Sequence, residues 1–108
     1  MAEQNETALM FEIRDALLGT GRVLVWRNQT GQLKDARGRW VRFGIGVGGA
    51  DLVGVVKGSG RFFAFEVKTR KGKLSPEQEA WHRVVLAAGG LVAVVRSVDE
   101  ALSALGAP

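Results

Sequence analysis

The chain has 108 residues, a length that fits one folded domain able to bury about two-thirds of its unfolded surface. It is 46% apolar and 24% charged, an ordinary globular composition that argues against disorder, and the absence of cysteine excludes disulfides, thiolate metal centres and cysteine nucleophiles. A single histidine, His82, excludes a multi-histidine metal site, while the net charge of +4 is unevenly spread: Arg22 to Lys73 holds twelve basic residues against Asp35, Asp51 and Glu66, a net of +9. Such concentration suggests a polyanionic partner, because side chains that neutralise phosphates gain affinity by releasing counterions. The N-terminal MAEQNETALM lacks the basic start and apolar run of a signal peptide. No apolar stretch approaches the ~20 residues of a membrane span, so the cytoplasm is the expected compartment and no membrane partner is expected.

In chain order, Asn5 is an N-cap for a helix to about Leu18, stopped by Gly19 and Gly21, with Leu9, Ile13, Ala16 and Leu17 as its apolar stripe. Arg22 to Arg27 reads as a strand, and the polar, glycine-punctuated stretch from Asn28 to Arg39 as a loop. Trp40 to Phe43 forms a short strand or ribbon, followed by an irregular glycine-rich run to Gly49. Asp51 to Val56 is apolar on both faces, as expected of a central, covered strand. The KGSG of Lys57 to Gly60 turns it into a hairpin partner, Arg61 to Lys68. Ser75-Pro76-Glu77-Gln78 starts a helix that ends near Gly89-Gly90, then come a buried strand, Leu91 to Val95, and a short helix, Val98 to Leu105. The expectation is a single α/β domain over residues 1–108, without linkers or repeats.

Side-chain alternation places Phe63, Phe65 and Val67 on one face of their strand and Phe62, Ala64, Glu66 and Lys68 on the other. If KGSG closes a hairpin, Asp51 at the start of one strand lies beside Glu66 and Lys68 at the end of the next. Two carboxylates ~4 Å apart repel by ~4 kcal/mol at an effective dielectric of 20. A divalent cation turns that repulsion into a binding site, and carboxylate oxygens suit Mg²⁺ or Mn²⁺. Such an ion lowers the pKa of water and polarises a phosphoryl oxygen, with Lys68 left to orient the water or stabilise developing charge. A structural Asp–Lys–Glu ion network is the alternative, and for an isolated E-V-K tripeptide it is the better one.

The wider pattern changes that balance. Asp51 followed by Glu66-Val67-Lys68 resembles the PD-(D/E)XK nuclease motif. With Trp26-Arg27-Asn28-Gln29-Thr30-Gly31, Gly48-Gly49-Ala50-Asp51, Glu66-Val67-Lys68-Thr69, Gly72-Lys73-Leu74-Ser75-Pro76-Glu77-Gln78 and Gly89-Gly90 in order, the chain resembles the VRR-NUC (virus-type replication–repair) nucleases, of the stand-alone single-domain type. Ala50 departs from the proline in the superfamily's name, at a position that shapes a turn and supplies no ligand. The resemblance implies a restriction-endonuclease-like α/β core, a mixed sheet flanked by helices. It implies a Mg²⁺- or Mn²⁺-dependent DNA phosphodiesterase in which Asp51, Glu66 and the Val67 carbonyl bind metal and Lys68 assists the water. Single-domain relatives are associated with homodimers that cut branched DNA, including four-way (Holliday) junctions.

Around this centre, Gln78 reads equally as the closure of the Ser75 capping box and as a residue near the site. Glu6 falls within the apolar stripe of the first helix, where an acid needs a partner, and the resemblance supplies one at the metal site; helix-dipole stabilisation is the alternative. Glu12 reads as a solvated residue. Arg70, Lys71 and Lys73 directly follow the catalytic strand and are expected to grip phosphates, with Arg27, Arg37, Arg39 and Arg42 as weaker candidates. Trp26 and Trp81 are expected in the core, Trp40 against DNA or a second subunit, and His82 on a helix surface. Gly44, Gly46 and Gly49 fit G-x-G-x-x-G, but a dinucleotide fingerprint opens a helix, and here a strand follows. Two rival functions stand beside a nuclease: a catalytically silent nucleic-acid-binding module, and a small-molecule phosphodiesterase, against which the +9 segment favours a long polyanion.

Overall fold

The computed structural model describes residues 5–107; residues 1–4, part of the stretch read for a signal peptide, and residue 108 lie outside the described residues. The elements in chain order are α1 (Glu6–Gly19), β1 (Val23–Arg27), β2 (Gly31–Lys34), β3 (Trp40–Phe43), β4 (Leu52–Val56), β5 (Phe62–Val67), α2 (Pro76–Ala87), β6 (Leu91–Val95) and α3 (Val98–Leu105). Asn5 caps α1 as its sequence demands, its side chain accepting from the Ala8 amide at 2.7 Å. One side of α1 buries Leu9, Met10, Ile13 and Leu17, each worth ~1.5–3 kcal/mol when fully removed from water.

Four strands form a mixed sheet in the order β1-β4-β5-β6, antiparallel except for the β5–β6 pair. The KGSG segment closes the β4–β5 hairpin, with Leu52 opposite Phe65 and Val55 opposite Phe62. A parallel neighbour requires a crossover, and α2 supplies it. Phe63, Phe65 and Val67 of β5 pack with Leu52, Val95 and the apolar sides of α1 and α3 into the core. The opposite sheet face carries Ala64 and Glu66, both buried, and α2 meets it there through Gln78. This is the α/β architecture expected from the sequence, consistent with a restriction-endonuclease-like core.

Four expectations need correction. The stretch from Asn28 to Arg39 is not all loop: Gly31–Lys34 is a strand, paired with β3 as a separate two-stranded ribbon. Gly-Gln-Leu-Lys has no β-branched residue, so its strand character comes from its partner rather than from its own propensity. The second face of β4 is only half covered, with Val53 and Val55 half-buried, and β6 is an edge strand with four of its five residues half-buried. Trp26 lies on this partly open face and is 56% exposed rather than in the core. Among the described residues, no helix is long and apolar enough to cross a membrane.

Candidate metal centre

Asp51 directly precedes β4, and Glu66 is the penultimate residue of β5. The Leu52–Phe65 pairing, carried one residue further, sets Asp51 opposite Glu66. The Asp51 carboxylate is pinned there, Oδ2 accepting from the Val67 amide at 2.9 Å. Glu66 is 2% exposed; its Oε1 accepts from Gln78 Nε2 at 3.1 Å, and Lys68 Nζ lies 3.9 Å from the same oxygen. Glu6, the first residue of α1, adds a third carboxylate, and ligand-capable oxygens of Glu6, Asp51 and Glu66 all lie within 4.8 Å of one another. Glu12 is not part of this group.

Burial drives the carboxyl of Glu66 from its ordinary 4.5 to about 8, and the neighbouring Asp51 is the next cause; Lys68 opposes the rise and Glu6 adds to it. Meanwhile Glu66 Oε2 is buried with no hydrogen-bond partner. A buried acid with an orphan oxygen, crowded by two more carboxylates, makes a poor structural ion pair, because one ammonium nearby cannot offset three acids. It is the donor set that a hard divalent cation satisfies, so the residues present fit Mg²⁺ or Mn²⁺.

Gln78 has both of the roles open to it from sequence. Its Oε1 accepts from the Ser75 amide at 2.9 Å, closing the capping box, while its Nε2 donates to Glu66. The glycine-rich run presses on this helix start: Gly48 has φ of +83°, and a Cβ there would collide with the Glu77 carbonyl and come within 2.9 Å of the Gln78 nitrogen. Only glycine fits that conformation at that distance.

Asn28 holds Asp51 from its other side. The Asn28 amide donates to the Asp51 carbonyl at 2.7 Å. Its Nδ2 donates to the Ala50 carbonyl at 3.0 Å and to Thr30 Oγ1 at 3.1 Å, while Oδ1 accepts from the Ile45 amide at 3.2 Å. In the sequence, Asn28 is only one letter of a motif. The signal that could have found it is chemical: an amide side chain on a short stem, between a strand and a glycine run, can bridge two backbones as donor and acceptor. Ala50, in place of the superfamily's proline, is fully buried with its carbonyl engaged by Asn28.

The carboxylates open into a cavity of about 770 Å³ that Arg27, Arg42, Thr30 and Phe43 also line. Arg27 is steadied by the Phe11 ring, 5.2 Å from its guanidinium carbon. Arg39 instead binds Asp35 at 2.8 Å within the ribbon turn. Arg70, Lys71 and Lys73 are exposed on the segment after β5 and do not line the cavity. Arg96 fixes the start of that segment, donating to the Thr69 carbonyl at 2.7 Å. Two aromatic expectations are corrected here: Trp81 is half-buried rather than in the core, and His82 is buried on α2 rather than exposed. Burial lowers the His82 pKa, and its Nε2 has no hydrogen-bond partner.

No curated protein matches the chain. A family model described as "VRR-NUC domain" matches residues 8–99. The match spans Asp51, Glu66, Lys68 and Gln78, whereas Glu6 lies just outside it and joins the cluster on geometry alone. The chain has a nuclease-type fold, and it belongs to the VRR-NUC family.

Proposed function

We propose that this protein is a divalent-metal-dependent DNA endonuclease that hydrolyses phosphodiester bonds. The observation that carries the proposal is a buried Glu66, its Oε2 without a hydrogen-bond partner, clustered with the Asp51 and Glu6 carboxylates. Asp51, Glu66, Glu6 and the Val67 carbonyl would hold Mg²⁺ or Mn²⁺. When bound, the ion supplies Lewis acidity toward a phosphoryl oxygen and a nucleophile available at neutral pH. Gln78 fixes Glu66 in orientation, and the Val67 amide does the same for Asp51. Lys68, held beside Glu66, orients the attacking water or stabilises negative charge as it develops. Arg27 and Arg42 place positive charge on the cavity wall, where a nucleic-acid backbone would lie, and Arg70, Lys71 and Lys73 extend it along the surface.

A silent binding module is the weaker reading, since it has no use for three clustered acids, one of them buried. Selectivity for branched DNA, four-way junctions included, is proposed together with a homodimer whose two sites cut related strands. An exposed apolar face supports the dimer: by register Trp26 sits beside Val53 and Leu24 beside Val55, which is itself opposite Phe62. Leu24, Trp26 and Phe62 are 45%, 56% and 38% exposed.

The test is a cleavage panel of linear, flap and four-way-junction DNA with Mg²⁺, Mn²⁺ or EDTA, on preparations weighed by sedimentation. Cutting should require the metal, and Lys68→Ala should lower the rate at least ~100-fold in a folded protein. Undiminished cleavage by Lys68→Ala would falsify the role given to the lysine. Paired cuts made by a monomer would remove the case for the dimer.

A further inference from the structure

The β2–β3 ribbon has two chemically different faces. Its register pairs Gly31 with Phe43, Gln32 with Arg42, Leu33 with Val41 and Lys34 with Trp40. Directly opposed residues share a face and successive residues alternate. One face is therefore Gly31, Leu33, Val41 and Phe43, which is apolar. The other is Gln32, Lys34, Trp40 and Arg42, which is polar, basic and aromatic. Phe43 lies close over Gly31, whose added Cβ would meet the ring at 2.7 Å.

The end of the ribbon nearest the site lines the cavity that holds Asp51 and Glu66, through Gly31 and Phe43 of the apolar face and Gln32 and Arg42 of the basic one. The next pair out on the same face is Lys34 and Trp40, two residues or ~7 Å along the strands. Trp40 is 63% exposed, too open to be a packing residue of the ribbon. Lys34 Nζ stands 5.2 Å from its ring centroid, which orders the indole and puts a cation beside it. An exposed aromatic ring flanked by cations, next to a cavity partly lined by arginines, is the composition that binds unpaired nucleotides: bases stack and the backbone is neutralised.

We propose that this face of the ribbon is a nucleic-acid arm, on which Trp40 stacks an unpaired base while Lys34 and Arg42 hold the phosphates leading to the cavity. It rests on the nuclease reading and adds to it a substrate class, DNA with unpaired nucleotides beside the cleaved bond. A fully paired duplex keeps its bases stacked on one another and offers Trp40 nothing to take.

The experiment measures binding by the full chain carrying Lys68→Ala, in Mg²⁺, to duplexes that are either fully paired or gapped by a few nucleotides with 2-aminopurine in the gap. Trp40→Ala should weaken binding of the gapped DNA about tenfold or more and the paired duplex less than about threefold, with Trp40→Phe close to the parent. Quenching of 2-aminopurine should persist with Trp40→Phe and vanish with Trp40→Ala. Lys34→Ala and Arg42→Ala should each flatten the log K against log salt slope by ~0.7 on the unpaired strand, while Lys57→Ala, at the far end of β4, should not. Equal loss on both DNAs, or no loss on either, overturns the assignment. A wild-type protein that cuts DNA while Trp40→Ala binds like the parent would sink the arm alone. One that binds gapped DNA through Trp40 but cuts nothing would sink the nuclease reading and leave the arm standing.

Discussion

In the unfolded chain Glu66 loses its proton near the ordinary 4.5, whereas in the folded, metal-free protein it keeps it until about pH 8. Between those values folding takes up a proton, so stability in EDTA should fall as pH rises from about 4.5 to about 8. Glu66→Gln is neutral at every pH and should remove most of that slope; a wild type equally stable across the window would contradict the site electrostatics. Asn28 gives a second residue-scale prediction. Its side chain fixes the backbone leading into Asp51, at Ala50 and Ile45, and touches no reacting atom, so Asn28→Asp, which loses the Nδ2 donors and keeps an acceptor, should lower kcat ~10- to 100-fold. KM for DNA should change little and Mn²⁺ affinity should weaken. A rise in KM with kcat intact would move Asn28 to substrate binding. Asp51, Glu66 and Lys68 were legible in the sequence because strand alternation and a four-residue turn suffice to bring them together. Asn28 and the buried His82 were not, since their environments are made by contacts with distant loops and by the way α2 rotates onto the sheet.

At the scale of elements, α2 shows one side chain serving both a helix end and a site. The Ser75 and Gln78 cap was readable from four letters, but the donation from Gln78 to Glu66 depends on where the crossover lands. Gln78→Glu separates the two roles. It keeps the cap acceptor, loses the donor to Glu66 and adds a carboxylate. Above about pH 8, where Glu66 is ionised, the variant should therefore lose ~1–3 kcal/mol in EDTA with its helix content unchanged. A denaturant melt matching wild type under those conditions would reduce Gln78 to a cap. The ribbon shows the opposite limit of sequence reading. Trp40–Phe43 alternates and was legible as a strand, while Gly31–Lys34 carries no strand signal of its own and is made one by its partner. The half-covered faces of β4 and β6 were missed for a related reason: an apolar strand does not say how much of the sheet a single helix will cover.

The whole molecule combines a basic central segment, an open apolar sheet face and one cavity where three acids meet. Part of the basic charge serves the fold: Arg22 donates to the Gly106 and Ala107 carbonyls and Arg61 to Gly89, tying chain ends and turns. Arg27 and Arg42 are different, for among the described residues neither makes an ion pair, and both remain available at the cavity wall. A metal bound at this site would add to global stability, because a ligand stabilises only the state that binds it. Asp51→Asn keeps an acceptor for the Val67 amide and removes one acid from a crowded cluster of three. The decisive measurement is a thermal melt of wild type and Asp51→Asn, each in EDTA and in excess Mn²⁺. In EDTA the variant should be as stable as wild type or more so, and Mn²⁺ at about 100 times its Kd should raise wild type by about 10 °C while leaving the variant nearly unmoved. A wild type indifferent to Mn²⁺, with Asp51→Asn destabilised by about 3–5 kcal/mol in EDTA, would make the cluster a structural ion network and contradict the metal site.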